Sequence, residues 1–307
     1  MGESSKIQWT THTWNPWQGC RKCSLGCRNC YMFADMARYG KDPLDIHRSA
    51  DATFRKPLSW QRQIATGKRP ADEKYVFTCS WSDWFIEEAD AWRDDAWEIV
   101  RACPDLIFQI LTKRSDRIAD HLPTFWNEIK DRAWLGVTVE NQATADVRIP
   151  HLKAVSDAFR FLSMEPLLGP VDLSRLVLRD PRPEIDRRIL NGTLRPDHTT
   201  CAEVFQWNAS RIHWAILGGE SGSGARRCHL RWLRSLRDQC RATGIDCFVK
   251  QLGRFPIDSV RGPEFGLPVG FEPDGYGWEM KLRDSHGGDW SEWPHDLRIR
   301  EMPGVAR

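Results

Sequence analysis

No run of eighteen apolar residues occurs in the 307-residue chain, which excludes a membrane-spanning helix. The opening residues, MGESSKIQW, lack the basic-then-apolar order of a secretory signal, so a cytoplasmic setting is expected. Charge of one sign is also scarce: 44 Lys and Arg against 42 Asp and Glu leave +2, too little to argue for nucleic acid by itself. The nine histidines include no HExxH zinc helix and no Ser-His-Asp order, which removes the common hydrolase templates. "GGESGSG", residues 218–224, is neither a P-loop, since no Gly-Lys-Ser/Thr follows, nor a GxGxxG fingerprint. A tight turn and a phosphate-cradling loop both stay open for it. No internal repeat or low-complexity tract is visible.

Cysteine and tryptophan, by contrast, are plentiful. Ten cysteines in a chain of this kind point to a reducing compartment and metal use rather than a disulfide framework. Sixteen tryptophans read mainly as core or pocket walls.

Apolar runs alternate with helical patterns. The runs are "KYVFTCSW", "LIFQILTKR", "AWLGVTVEN", "AFRFLSMEPLLG", "IHWAILGG" and "DCFVKQLG". Helical spacing follows in "YMFADMARYG", over roughly 89–103 before Pro104, in "FWNEIKD", in "ADVRIPHLKAVSD" with an interruption at Pro150, and in "HLRWLRSLRDQCRATG". Near-continuous apolar strands separated by helices indicate a parallel sheet covered on both faces. The fold class is therefore α/β, a partial (β/α) barrel of about six parallel strands over residues 1–253. Residues 171–211 read as an insertion, and 254–307 as an irregular C-terminal wrap anchored by Trp278, Trp290 and Trp293.

In such folds ligands sit at the carboxyl ends of strands. The residues there are Ser80, Ser82 and Asp83; Thr112, Lys113 and Arg114; Thr138, Glu140 and Asn141; Ser163 and Glu165; Glu220 and Ser221; and Lys250 and Gln251. Carboxylates and lysines gathered at strand ends favour a polar active site over simple capping. The helix "HLRWLRSLRDQCRATG" buries an apolar face of Leu230, Leu233, Leu236 and Cys240, with Arg231, Arg234 and Arg241 on its surface and Arg227 just before it; this row reads as a solvated charged face or a phosphate-tracking row. Cys103, Cys240 and Cys247 lie on apolar faces and read as core.

"GCRKCSLGCRNCY" places Cys20, Cys23, Cys27 and Cys30 within eleven residues. Four thiolates could close a zinc site, but zinc ribbons separate their two pairs by some fifteen to twenty residues. Closely spaced cysteines suit an iron–sulfur cluster instead. If all four bind, the cluster is saturated and can only pass electrons. If three bind, one iron is left open for a ligand, as a catalytic zinc keeps one position free.

The three-ligand case has a known counterpart. Cys23, Cys27 and Cys30 have the CxxxCxxC spacing of radical S-adenosylmethionine (SAM) enzymes, with Tyr31 after the last cysteine and Asn29 where an aromatic residue usually stands. More widely, "IQWTTHTWNPWQGC", "GCRNCYMFADM", "SWSDWF", "ILTKRSDRI", "WLGVTVENQ", "RFLSMEPLLGPV", "WAILGGESGSGAR", "FVKQLG" and "GGDWSEWPHDLRIREMP" together resemble a phage-associated family of uncharacterised radical-SAM-like proteins with a Cx6CxxC motif. That motif maps onto Cys20, Cys27 and Cys30, so the alternatives for the third ligand are Cys20 and Cys23.

The resemblance implies a radical SAM-type partial barrel with a [4Fe–4S] cluster loop after the first strand. It implies reductive cleavage of SAM, abstraction of a hydrogen atom, and a reductase or flavodoxin-type electron donor. By resemblance and position, Ser82 and Asp83 are expected at the methionine amino group, Lys113 and Arg114 at its carboxylate, and Glu140 at the ribose hydroxyls. Glu165, Glu220 and Lys250 are expected at the substrate, a nucleotide or nucleic-acid base. The alternatives are a non-enzymatic iron–sulfur or zinc module that binds nucleic acid, and a radical SAM enzyme acting on a peptide or small metabolite.

Overall fold

The computed structural model describes residues 5–176, 212–222, 224–259, 265–272 and 275–304. Beyond residue 176, the expected insertion lies outside the described residues.

The strands are β1 (His12–Trp14), β2 (Trp17–Gln18), β3 (His47–Arg48), β4 (Tyr75–Thr78), β5 (Ile107–Thr112), β6 (Ala133–Thr138), β7 (Arg160–Met164), β8 (Trp214–Gly218), β9 (Cys228–His229), β10 (Asp246–Gln251), β11 (Pro256–Asp258), β12 (Phe265–Glu272) and β13 (Gly275–Met280). The helices are α1 (Tyr31–Arg38), α2 (Asp51–Phe54), α3 (Lys56–Ala65), α4 (Asp90–Arg101), α5 (Trp126–Ile129), α6 (Gln142–Ala154) and α7 (Leu230–Thr243). The main sheet has seven strands in the order β1-β4-β5-β6-β7-β8-β10. Its β1–β4, β4–β5, β5–β6 and β8–β10 pairs are parallel. The α/β reading holds, with one strand more than the six apolar runs. That extra strand, β1, is only three residues long and begins with a polar pair, so it carries no apolar-run signal.

The chain divides into two compact units. Unit 1 comprises Met1–Thr138 and His151–Phe161; unit 2 comprises Val139–Pro150 and Leu162–Arg307.

In unit 1, every residue of β6 is buried, as two-faced coverage requires. Gly136 on β6 lies under the Phe161 ring; a Cβ there would sit 2.3 Å from it. An aromatic chain fills the core: Trp14 and Trp84 at 5.7 Å between ring centroids, Trp84 and Trp97 at 5.0 Å, Trp97 and Trp126 at 6.2 Å. Fully burying one such side chain contributes roughly 1.5–3 kcal/mol or more. The expectation that tryptophan serves mainly as core holds for these rings.

In unit 2, α7 buries Leu230, Trp232, Leu233, Leu236 and Cys240 and ends at Gly244, whose φ of 71° supplies the left-handed cap. Two of its arginines are engaged within the chain. Arg234 grips Asp258 at 2.7 and 2.8 Å and reaches Asp296 at 2.9 Å, while Arg237 also binds Asp296. Cys103 in unit 1 and Cys240 and Cys247 in unit 2 are buried, as expected for core thiols.

Two readings of the sequence need correction. The segment after Gly253 is not irregular throughout: β11, β12 and β13 join β9 in a second sheet of order β12-β13-β11-β9. Its Gly and Pro residues read as breakers, yet Pro268 sits in β12, an edge strand, where a missing N–H is tolerated. Helix α6 also continues through Pro150, at the cost of one backbone hydrogen bond. No helix among the described residues is long and apolar enough to cross a membrane.

Candidate functional site

In unit 1 the chain leaves β2 at Gly19 and enters the cysteine loop. Gly19 has φ 86°, and a Cβ there would lie 2.5 Å from the Asp45 carbonyl oxygen, so only glycine makes this turn. The loop mouth is pinned by Gly19 N–H to the Trp81 carbonyl at 3.1 Å, by Ser82 Oγ donating to the Gly19 carbonyl at 2.6 Å, and by Cys20 N–H to the Pro43 carbonyl at 2.9 Å. Ser82 is thereby a loop anchor. A short 3-10 turn over Leu25–Cys27 follows, and Cys30 occupies the N-cap of α1. Cys27 is buried, Cys20 and Cys30 are half-buried, Cys23 is exposed, and all four are free thiols.

These thiols influence one another. Burial, together with the Asp83 carboxylate, pushes Cys20 up to about 12. A hydrogen bond between the Cys23 and Cys27 side chains raises Cys23 and lowers Cys27, and burial opposes the second of these. Lys113 and Ser24 help hold Cys27 down. A thiol held low next to a lysine is a ready soft ligand, because metals take the thiolate.

Asp83, 5% exposed, organises the end of β5. Its Oδ1 accepts from Thr112 Oγ1 at 2.6 Å and Phe85 N–H at 3.0 Å; its Oδ2 accepts from Lys113 N–H at 2.8 Å and pairs with Arg114 Nη1 at 3.2 Å. Arg114 also donates to the Arg21 carbonyl inside the cysteine loop, at 3.0 Å. Lys113 Nζ has Thr138 Oγ1 at 3.4 Å and, among the described residues, no carboxylate within salt-bridge reach. Unit 1 thus brings together Cys20, Cys23, Cys27, Cys30, Ser82, Asp83, Lys113 and Arg114 from the expected set.

Unit 2 holds the rest, and each carboxylate there has a cation. Glu140, which follows β6, is fully buried and meets Arg148 Nη1 at 3.3 Å. Glu165, which follows β7, receives Lys250 Nζ from β10 at 2.7 and 3.0 Å, both side chains about one-fifth exposed. Glu220, after β8, takes three hydrogen bonds from Arg226: backbone N–H at 2.9 Å, Nε at 2.8 Å and Nη2 at 2.7 Å. That bidentate grip raises Arg226 above its ordinary value. Arg148 and Arg226 escaped sequence reasoning. The signal for Arg226 was an arginine pair closing the glycine loop that Glu220 opens; Arg148, eight residues beyond Glu140 in a helix, gave none.

The glycine loop itself is built for close backbone approach. A Cβ on Gly219 would sit 2.3 Å from the Leu252 carbonyl oxygen. Gly253 (φ 88°) packs on the backbone of Gly219, and Gly287 (φ 67°) on that of Gly253. Of the two readings left open for GGESGSG, this supports the steric one at Gly219.

Among the described residues, no group of three or more His, Cys, Asp or Glu side chains is gathered around a single-ion site. The donor chemistry nonetheless fits an iron–sulfur cluster: reduced thiols on a loop of little regular structure, beside cations that offset the charge of thiolate ligands.

These features define an α/β protein with a cation-flanked thiol loop. Residues 4–290 match the family described as Protein of unknown function (DUF5131), and the chain belongs to it. Neither a curated protein nor a solved structure matches.

Proposed function

We propose that the protein is a radical SAM enzyme, with a [4Fe–4S] cluster in the thiol loop of a radical SAM-type partial barrel and a nucleotide or nucleic-acid base as substrate. The observation that carries this reading is the meeting of free thiols with Lys113, a cation that has no carboxylate partner among the described residues. Cys27 and Cys30 are assigned as ligands with Cys20, which is half-buried and follows the anchored turn at Gly19; exposed Cys23 is assigned as a neighbour. When bound, the cluster and SAM supply the one-electron chemistry that cleaves the sulfonium and abstracts a hydrogen atom.

The chain's own residues bind and orient. Lys113 and Arg114 take the carboxylate of SAM, and Asp83 fixes Arg114 through its 3.2 Å pair. Ser82 holds the loop mouth. In unit 2, Glu165, the most exposed of the three carboxylates, is assigned substrate contact with its partner Lys250. Arg148 and Arg226 hold Glu140 and Glu220 in place. A cytoplasmic reductase or flavodoxin-type protein delivers the electron.

The test is anaerobic reconstitution with iron and sulfide, followed by reduction. The expected result is a cluster EPR signal that changes on adding SAM, with 5′-deoxyadenosine formed. A cluster indifferent to SAM, or a protein that takes up only zinc, overturns the reading.

A further inference from the structure

Among the described residues, four of the five exposed large hydrophobic side chains, Leu25, Tyr31, Tyr39 and Leu44, lie in or just after the cysteine loop. Residues 20–45 also carry five Lys or Arg against three Asp, an excess equal to the net +2 of the whole chain. Exposed aromatic and aliphatic surface is therefore concentrated on one short stretch of unit 1, which also carries cations.

The aromatic residues are contiguous. Tyr31 opens α1, is 54% exposed, and donates its hydroxyl to the Ser80 carbonyl at 2.8 Å. The next residue, half-buried Trp81, has its ring 6.1 Å from that of Tyr39, which is 65% exposed. Cations lie on the same stretch, Arg38 among them paired with Asp35 at 3.5 Å. Lys41 Nζ donates to Gln18 Oε1 at 3.2 Å, one residue before Gly19, which bonds the Trp81 carbonyl. Arg38 is 73% exposed on the last turn of α1, and Arg28 is exposed in the loop.

A surface patch of aromatic faces is costly unless something covers it. Bases stack on aromatic rings whatever their sequence, while a cationic border tracks the phosphates. A duplex hides its base faces, so this combination selects unpaired strands. We infer that Tyr31, Tyr39 and Trp81, bordered by Arg28, Arg38 and Lys41, form a binding surface for single-stranded nucleic acid. The inference deepens the proposed function by naming the substrate class. It rests on that reading for the chemistry but not for the binding.

The test is fluorescence anisotropy with a labelled oligothymidylate of about 20 nucleotides and a duplex of the same length, on both metal-free and reconstituted protein. Single strand is expected to bind at least about tenfold tighter than duplex. Tyr39→Ala and Trp81→Ala should each weaken it about tenfold, by loss of one stacked base. Tyr39→Phe, which keeps the ring, should retain binding, and Lys41→Ala should flatten the salt dependence. Circular dichroism checks that each variant is folded. Equal binding to duplex and single strand, or unchanged binding in both alanine variants, overturns the inference. A SAM-indifferent cluster in a protein that still binds single strands overturns the proposed function alone; SAM cleavage without strand binding overturns this inference alone.

Discussion

The two units treat charge in opposite ways. In unit 2 every expected carboxylate is matched: Glu140 by Arg148, Glu165 by Lys250, Glu220 by Arg226. In unit 1 the match is incomplete. Asp83 has Arg114, but among the described residues Lys113 has no carboxylate partner and borders the Cys27 thiol and the Thr138 hydroxyl. Self-neutralised pairs hold loops in place and ask for no further ligand, because each charge already has its counter-charge. Lys113 instead faces a thiol that it helps hold below its ordinary value, and thiolates are the form that metals take. This contrast is what supports the proposal of ligand chemistry in unit 1.

The largest expected effect breaks the unit 1 side of the comparison. Cys27→Ala should lower iron and sulfide content after reconstitution by more than about tenfold, since ligand loss exceeds the effect of removing an outer-shell partner. Its circular dichroism spectrum should match that of the parent. Undiminished iron would mean that these thiols are not the metal side.

Next comes charge removal in each unit. Glu220→Ala strands Arg226 next to a buried loop and should cost about 2–4 kcal/mol in urea unfolding. Lys113→Met, which removes a cation without a carboxylate, should change stability by less than about 0.5 kcal/mol. Equal losses in the two variants would erase the distinction between matched and unmatched charge.

The smallest effect separates two glycines of one loop. Gly219→Ala meets backbone at 2.3 Å and should cost about 2–3 kcal/mol, as overpacking does. Gly222→Ala has φ 99° but nothing within 4 Å, so only backbone strain of about 1–2 kcal/mol is expected. Thermal unfolding of the pair reads the difference. A larger loss at Gly222 would return that loop to a role set by conformation.

Much of the fold is legible in the sequence, because burial on both faces forces apolar runs such as "AWLGVT" and "WAILG" that survive any context. Strand β1 left no period in its three residues, and only the resemblance implied a strand before the cysteine loop. The strands after Gly253 were hidden by Pro268 and by glycines whose role depends on a neighbouring strand. The thiol loop stood out through spacing alone. What it sits beside did not: Thr112 and Asp83 are twenty-nine residues apart, and only the β4–β5 pairing brings their loops together. The partners of Glu140 and Glu220 were missed because an ion pair is a fact of three-dimensional placement, whereas a carboxylate at a strand end is a fact of order along the chain.

Residues 287–301 line the outer strand of the main sheet. Gly287 accepts from Leu252 N–H at 2.8 Å, Ile299 from Val249 N–H at 2.8 Å, and Glu301 donates to Cys247 at 3.0 Å, with an antiparallel bridge between Phe248 and Arg300. During synthesis, β10 is therefore complete some fifty residues before its cover exists. For that interval a growing chain presents Cys247–Leu252 as an open, apolar template on which another chain could pair. The hazard is one of timing: a ribosome stalled between residues 252 and 287 would release a molecule with most of its main sheet and none of its edge protection.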